Sequence, residues 1–165
     1  MKLSAQEEYG LRCLLRRGAQ GDGGSLTIPE ISRTEGLSPE YVAKLMRILR
    51  RGGLVTSARG ATGGYTLSRP ADQITAGEAL TVLGGPLFES GFCERHAGAE
   101  RLCTHSIDCS IRSLWQALQT AVDQVLTKTT LKDLLCSEPA MISLMTDLVN
   151  LSSGRGYPEN QIEQL

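Results

Sequence analysis

Three of the chain's five cysteines and both of its histidines fall within the segment CERHAGAERLCTHSIDC, residues 93–109. Thiolates suit soft metals, and an iron–sulfur cluster takes four ligands, usually cysteine, with histidine or carboxylate able to replace one. Cys93, Cys103 and Cys109 supply three such donors, and His96 or His105 could supply a fourth from the same segment. Zinc is a second reading, because three cysteines and one histidine form an ordinary structural set. The nine residues between Cys93 and Cys103 are a wider gap than common zinc knuckles use. A thiol switch is a third reading, in which two of the cysteines join under oxidant. Cys13 and Cys136 fall on expected helices and read as buried small hydrophobes rather than ligands.

The rest of the chain says what such a segment would serve. No apolar run approaches the roughly 20 residues of a membrane span, and the N-terminus lacks the apolar block of a secretory signal. A cytoplasmic protein is therefore expected, where thiols stay reduced and clustered cysteines bind metal or do redox work. Aromatic residues make up only 4% of the chain, so its core must rest on aliphatic side chains. The net charge of −1 conceals an asymmetry. Residues 1–70 carry 11 Lys and Arg against 6 Asp and Glu, whereas residues 71–165 carry 6 against 12. A basic front half suggests a polyanion-binding module joined to something else. No phosphate-binding loop and no nucleophile–base pair is present, so an enzyme is not expected.

Within the basic half, Ser4 caps an amphipathic helix bearing Tyr9, Leu11, Cys13, Leu14 and Leu15. GDGG at 21–24 makes a loop. Thr27 caps a short helix with Pro29 in its first turn, and Gly36 closes it. Ser38 caps a second helix whose apolar face is Tyr41, Val42, Leu45, Ile48 and Leu49. Lys44, Arg47, Arg50 and Arg51 decorate its other side. Two helices joined by a tight glycine-bearing turn form a helix-turn-helix, whose second helix can enter the major groove of double-stranded DNA. Strands at 54–57 and 65–67 then flank a tip with Arg59, Gly60, Gly63 and Gly64, making a β-hairpin wing. An arginine at such a tip can enter a narrow minor groove. Ser38, Tyr41, Lys44 and Arg47 are the expected major-groove residues, and Arg59, Gly60, Gly63 and Gly64 the expected wing contacts.

In the acidic half, Thr75 and Glu78 have capping-box spacing and open a helix through Leu83. After the cysteine segment, Ile111, Leu114, Trp115, Leu118, Val122 and Val125 recur at three- and four-residue intervals. They define a helix of about 18–20 residues with one continuous apolar stripe. A small winged-helix domain cannot cover that stripe, so the same helix of a second copy is expected to, giving a homodimer that reads a palindromic operator. A last helix begins near Ser137 and runs through Leu151, followed by a polar tail. The expected fold is mainly α with a small β-hairpin wing: a winged helix-turn-helix plus a long dimerisation helix. Residues 1–70 are expected to form the DNA-binding region, 71–135 the cysteine segment and dimerisation helix, and 136–165 the C-terminal helix and tail.

The segments MKLSAQEEYGLRCLL and LTIPEISRTEGLSPEYVAKLMRILRRGGLVTSARGATGGYTLSRP, with the cysteine segment leading into the long helix, resemble the Rrf2-type winged-helix regulators of bacteria. The likeness covers roughly residues 1–135. It implies a homodimeric transcriptional regulator, expected to be a repressor, whose DNA affinity answers to an iron–sulfur cluster sensing redox state, nitric oxide or iron–sulfur status. It carries Cys93, Cys103 and Cys109 onto the family's three loop cysteines and Glu8 onto an acidic ligand some relatives use. One relative also uses a histidine four residues further on, where this chain has Arg12. The family's loop cysteines are evenly spaced, whereas here the gaps hold nine and five residues. The widened loop and the carboxylate ligand resemble those of 2Fe–2S sensors, which favours that cluster over 4Fe–4S. A cluster-free thiol-switch or zinc-containing winged-helix regulator is the alternative.

Overall fold

The computed structural model describes residues 3–21, 24–58, 63–86, 103 and 108–153. The chain forms two compact units, Met1–Leu135 and Cys136–Leu165. Among the described residues, no helix is long and apolar enough to cross a membrane.

Helix α1 (Ala5–Gly18) starts where Ser4 and Glu7 satisfy each other's main-chain donors. The Ser4 N–H donates to Glu7 Oε2 at 2.7 Å and the Glu7 N–H to Ser4 Oγ at 3.3 Å. This reciprocal cap supplies acceptors for two N–H groups that the helix leaves without internal partners. Gly10, Cys13, Leu14 and Arg17 form its buried face at helical spacing. Helix α2 (Ile28–Glu35) opens with the Thr27 N–H donating to Glu30 Oε2 at 2.7 Å. It ends at Gly36, whose φ of 68° is left-handed and favours glycine.

Helix α3 (Pro39–Arg51) follows after a three-residue turn, Gly36 to Ser38. Ser38 Oγ accepts the Tyr41 N–H at 3.2 Å, and Val42, Leu45, Met46 and Leu49 bury its inner face. The chain leaves α3 through a paired C-terminal closure. The Gly53 N–H donates to the Arg50 carbonyl at 3.1 Å and the Leu54 N–H to the Leu49 carbonyl at 3.0 Å. Strands β1 (Val55–Ala58) and β2 (Gly64–Leu67) then pair antiparallel, with Val55 opposite Leu67 and Ala58 opposite Gly64. The first strand lies one residue later than the sequence predicts, because Leu54 completes the helix closure. The expected winged helix-turn-helix is therefore present.

Helix α4 (Ala76–Gly84) carries the capping box expected of Thr75 and Glu78. Ile74, Ala79 and Leu83 join Cys13, Leu14, Ile31, Leu45, Met46 and Leu49 in one core. Helix α5 (Ser110–Leu126) has 17 residues, close to the expected length, and none of them is fully buried. Its C-terminal end returns to that core: the Ala76 N–H donates to the Thr129 carbonyl at 2.8 Å and the Leu131 N–H to the Ile74 carbonyl at 2.7 Å. Leu131 is itself a core residue. In the second unit, α6 (Glu138–Ser153) extends two residues past the expected end at Leu151. Cys136 lies before that helix and is exposed, correcting its reading as a buried hydrophobe on a helix. No helix turn encloses it there.

Candidate nucleic-acid interface and cysteine segment

Ser38, the N-cap of α3, and Lys44 and Arg47 within the helix are exposed. Glu40, also exposed, adds a carboxylate near the N-terminal end that the basic reading of this helix overlooked. Tyr41 is half-buried: its ring meets Tyr9 edge-on at 6.1 Å, and the Lys44 ammonium lies 5.8 Å from its centre. Tyr41 therefore shores up the base of Lys44 as well as facing outward. Arg50, read from sequence as part of the basic face, donates to the Ser57 hydroxyl of β1 at 3.1 Å. It links the recognition helix to the wing.

Helix α1 holds this unit from behind. Arg12 Nε and Arg16 Nε donate to the two carboxylate oxygens of Glu35 at 2.9 and 2.8 Å, and Arg12 also reaches the Glu35 carbonyl at 3.2 Å. The Glu35 side chain is only 6% exposed. Two cations thus meet the negative C-terminal end of α2 and fix its angle to α1. Arg12 is committed to this structural pairing.

The wing is anchored more firmly than a two-stranded hairpin alone allows. The Leu26 and Tyr65 main chains exchange bonds of 3.1 and 2.8 Å, adding a bridge from the loop before α2. Thr56 and Thr66 join hydroxyls across the pair at 2.7 Å. Gly64 lies so near this bridge that a Cβ there would stand 2.9 Å from the Leu26 carbonyl oxygen. Gly63 and Gly64 are half-buried, while Arg59 and Gly60 lie outside the described residues. Sequence reasoning missed Arg17, whose buried guanidinium reaches the wing from the core. Its position at the spacing of Gly10, Cys13 and Leu14 is the available signal.

Cys109 is the N-cap of α5, and its Sγ accepts the Arg112 N–H at 3.4 Å. Cys103 and Cys109 are both half-buried and outside any disulfide. Glu8 is exposed on the first turn of α1, and its carboxylate has no hydrogen bond or ion pair among the described residues. Two thiols and a carboxylate of this kind have the donor chemistry an iron–sulfur cluster uses. Cys93, His96 and His105 lie outside the described residues, and among those described no three candidate ligands converge. Cys13 is fully buried in the core, and that burial, reinforced by Glu35, pushes its thiol up to about 11, which disfavours the thiolate form a metal takes.

Beyond Cys109 the apolar stripe of α5 divides. Ile111, Leu114, Trp115 and Leu118 are 57%, 54%, 38% and 48% exposed. Val122 and Val125 are half-buried within their own chain. Val122 lines a cleft of about 310 Å³ with Leu3, Leu80 and Leu126.

The family model for Rrf2, described as an iron-dependent transcriptional regulator, matches residues 3–137. The chain belongs to the Rrf2 family. The HTH-type transcriptional regulator CymR of Bacillus subtilis (strain 168) is 37% identical over 134 residues, which span 81% of this chain and 89% of that one. The HTH-type transcriptional regulator IscR of Sodalis glossinidius (strain morsitans) is 32% identical over 138 residues, 84% of this chain and 81% of that one. The crystal structure of the oxidized form of Staphylococcus aureus CymR superposes with a TM-score of 0.64 at 31% identity, covering 83% of this chain and 98% of that one. Rrf2 proteins are DNA-binding transcriptional regulators, and this chain is one by family and by fold.

Proposed function

We propose that this Rrf2 protein is a dimeric repressor whose affinity for a palindromic operator is set by an iron–sulfur cluster. In this reading Ser38, Tyr41, Lys44 and Arg47 face the major groove, and Arg59, Gly60, Gly63 and Gly64 form the wing contact. Ile111, Leu114, Trp115 and Leu118 form the seam between copies, with Val122 and Val125 at its half-buried end. Cys93, Cys103 and Cys109, with Glu8 of the same or the partner copy, would hold the cluster. The 2Fe–2S type remains favoured. When bound, such a cluster supplies a redox- and nitric-oxide-sensitive centre.

The observation that carries the proposal is the place of Cys109. Its sulfur caps the helix whose next turns expose the apolar stripe, so ligation there acts on the start of the dimer helix. Anaerobic purification tests it. The expected protein is brown, contains iron and acid-labile sulfide, and loses its colour in Cys93→Ala; a colourless wild-type chain refutes the cluster.

A cluster-free thiol switch is the second reading, supported by the half-buried free thiols of Cys103 and Cys109 and the likeness to a CymR solved in an oxidized form. Joining them would release two protons and two electrons to an oxidant such as a peroxide or a disulfide. A colourless protein that loses two hydrogens on oxidation, with an accompanying change in DNA affinity, would select this reading.

A further inference from the structure

We propose that Arg17 is a positioning residue for DNA binding, acting from the core by fixing the angle of the wing. The proposal rests on the wing being part of the DNA interface. Arg17 is 1% exposed near the end of α1. Its Nε donates to the Tyr65 carbonyl of β2 at 3.0 Å, and a terminal guanidinium nitrogen donates to the Gly21 carbonyl at 3.0 Å. A buried cation is stable only where such acceptors are in place, and here they are main-chain atoms of two separate segments.

Tyr65 is the right place for such a hold. It pairs with Ser57, one step from the Ala58–Gly64 pair that ends the ladder before the tip. Its carbonyl also accepts the Leu26 N–H, so both of its acceptor positions are used. The opposite residue, Ser57, is held by Arg50 from α3. Arg17 and Arg50 therefore grip the two partners of one rung, one from the core and the other from the recognition helix. This fixes the wing against α3 before DNA arrives, and the cost of ordering it on binding falls accordingly. The planar fork of arginine reaches two carbonyls in fixed directions, which lysine cannot do in the same geometry.

A double-mutant cycle tests this on the full chain, with a duplex that the wild-type protein selects from a random-sequence pool. Arg59→Ala should weaken binding about tenfold, the scale of one good groove contact, and remove hydroxyl-radical protection in the minor groove. Arg17→Met should cause a similar loss and the same change of footprint, while guanine contacts in the major groove persist. The double variant should bind no more weakly than the weaker single one, because both act through the wing. Arg17→Lys should recover part of the affinity. Losses that multiply to about a hundredfold, or a wild-type footprint in Arg17→Met, would overturn the role of Arg17 alone. An Arg59→Ala chain with wild-type affinity would remove the wing from the interface and the proposal with it. Loss of folded structure by circular dichroism in both Arg17 variants would assign the residue to stability instead.

Discussion

Replacing Leu118 by glutamate tests whether the exposed stripe of α5 is a seam between two copies. Leu118 is 48% exposed in the single chain. Fully burying a leucine contributes about 1.5–3 kcal/mol, so covering its remaining half contributes about 1 kcal/mol per copy. A two-fold interface meets the substitution twice, which removes about 2 kcal/mol of burial. Each glutamate must also leave water without a partner, at a cost of at least about 1–3 kcal/mol. The combined loss of about 4–8 kcal/mol raises the dimer dissociation constant by at least about a thousandfold. Sedimentation velocity at micromolar concentration should therefore show a dimer for the wild type and a monomer for Leu118→Glu. Ile142→Glu is the control, since Ile142 is 61% exposed but belongs to a different helix, α6. The reasoning is refuted if Leu118→Glu remains dimeric across the dilution series, or if Ile142→Glu is the variant that dissociates.

Three further outcomes are expected. In the cluster-free protein at pH 7–8, iodoacetamide should label Cys103, Cys109 and Cys136 well before the buried Cys13, whose thiol is pushed up to about 11; peptide mass spectrometry reads the order. Gly64→Ala should destabilise the fold by about 1–3 kcal/mol, because the new methyl meets a main-chain oxygen that cannot rotate away; the shift in Tm measures it. The Thr130 hydroxyl, with the Thr130 N–H, holds the Asp133 carboxyl below its ordinary 3.8. The stability this carboxylate contributes is thus present above that value and fades as pH falls through its lower folded pKa, and Asp133→Asn should flatten that part of an acid-unfolding curve.

The helix-turn-helix was legible because its boundaries are local chemistry. Ser4, Thr27 with Pro29, Ser38 with Pro39, and Gly36 each act within a few residues, so residue type and spacing reveal them, while the reciprocal partners Glu7 and Glu30 were added by the structure. The wing followed from chain order and glycine placement. Features missed by the sequence depend on distant partners. Arg17 is a cation on an otherwise apolar face, and nothing near it in sequence reveals that carbonyls of Gly21 and Tyr65 await it. Leu26 gives no sign that it bridges to Tyr65 across the wing. The stripe of α5 was read as one seam, yet its last turns lie against the helix that Thr75 begins. Periodicity finds an apolar face without saying which neighbour covers each part of it. The cysteine segment showed its candidate donors by residue type, and Cys109 also caps a helix, which its sequence position did not announce.

The attachment of α5 at one end gives it a mechanical character. Its last turn is pinned by the return of Thr129 and Leu131 to Ala76 and Ile74, with Leu126 lying against Gly77. Its other end begins at Cys109. Seventeen residues make an arm about 25 Å long, so a 2 Å displacement at the thiol end swings it about 5° and moves the pinned turn only ~0.4 Å. Such an arm trades distance for force. A local rearrangement around Cys109 would therefore be felt as a short displacement beside α4, which packs against both α1 and α3.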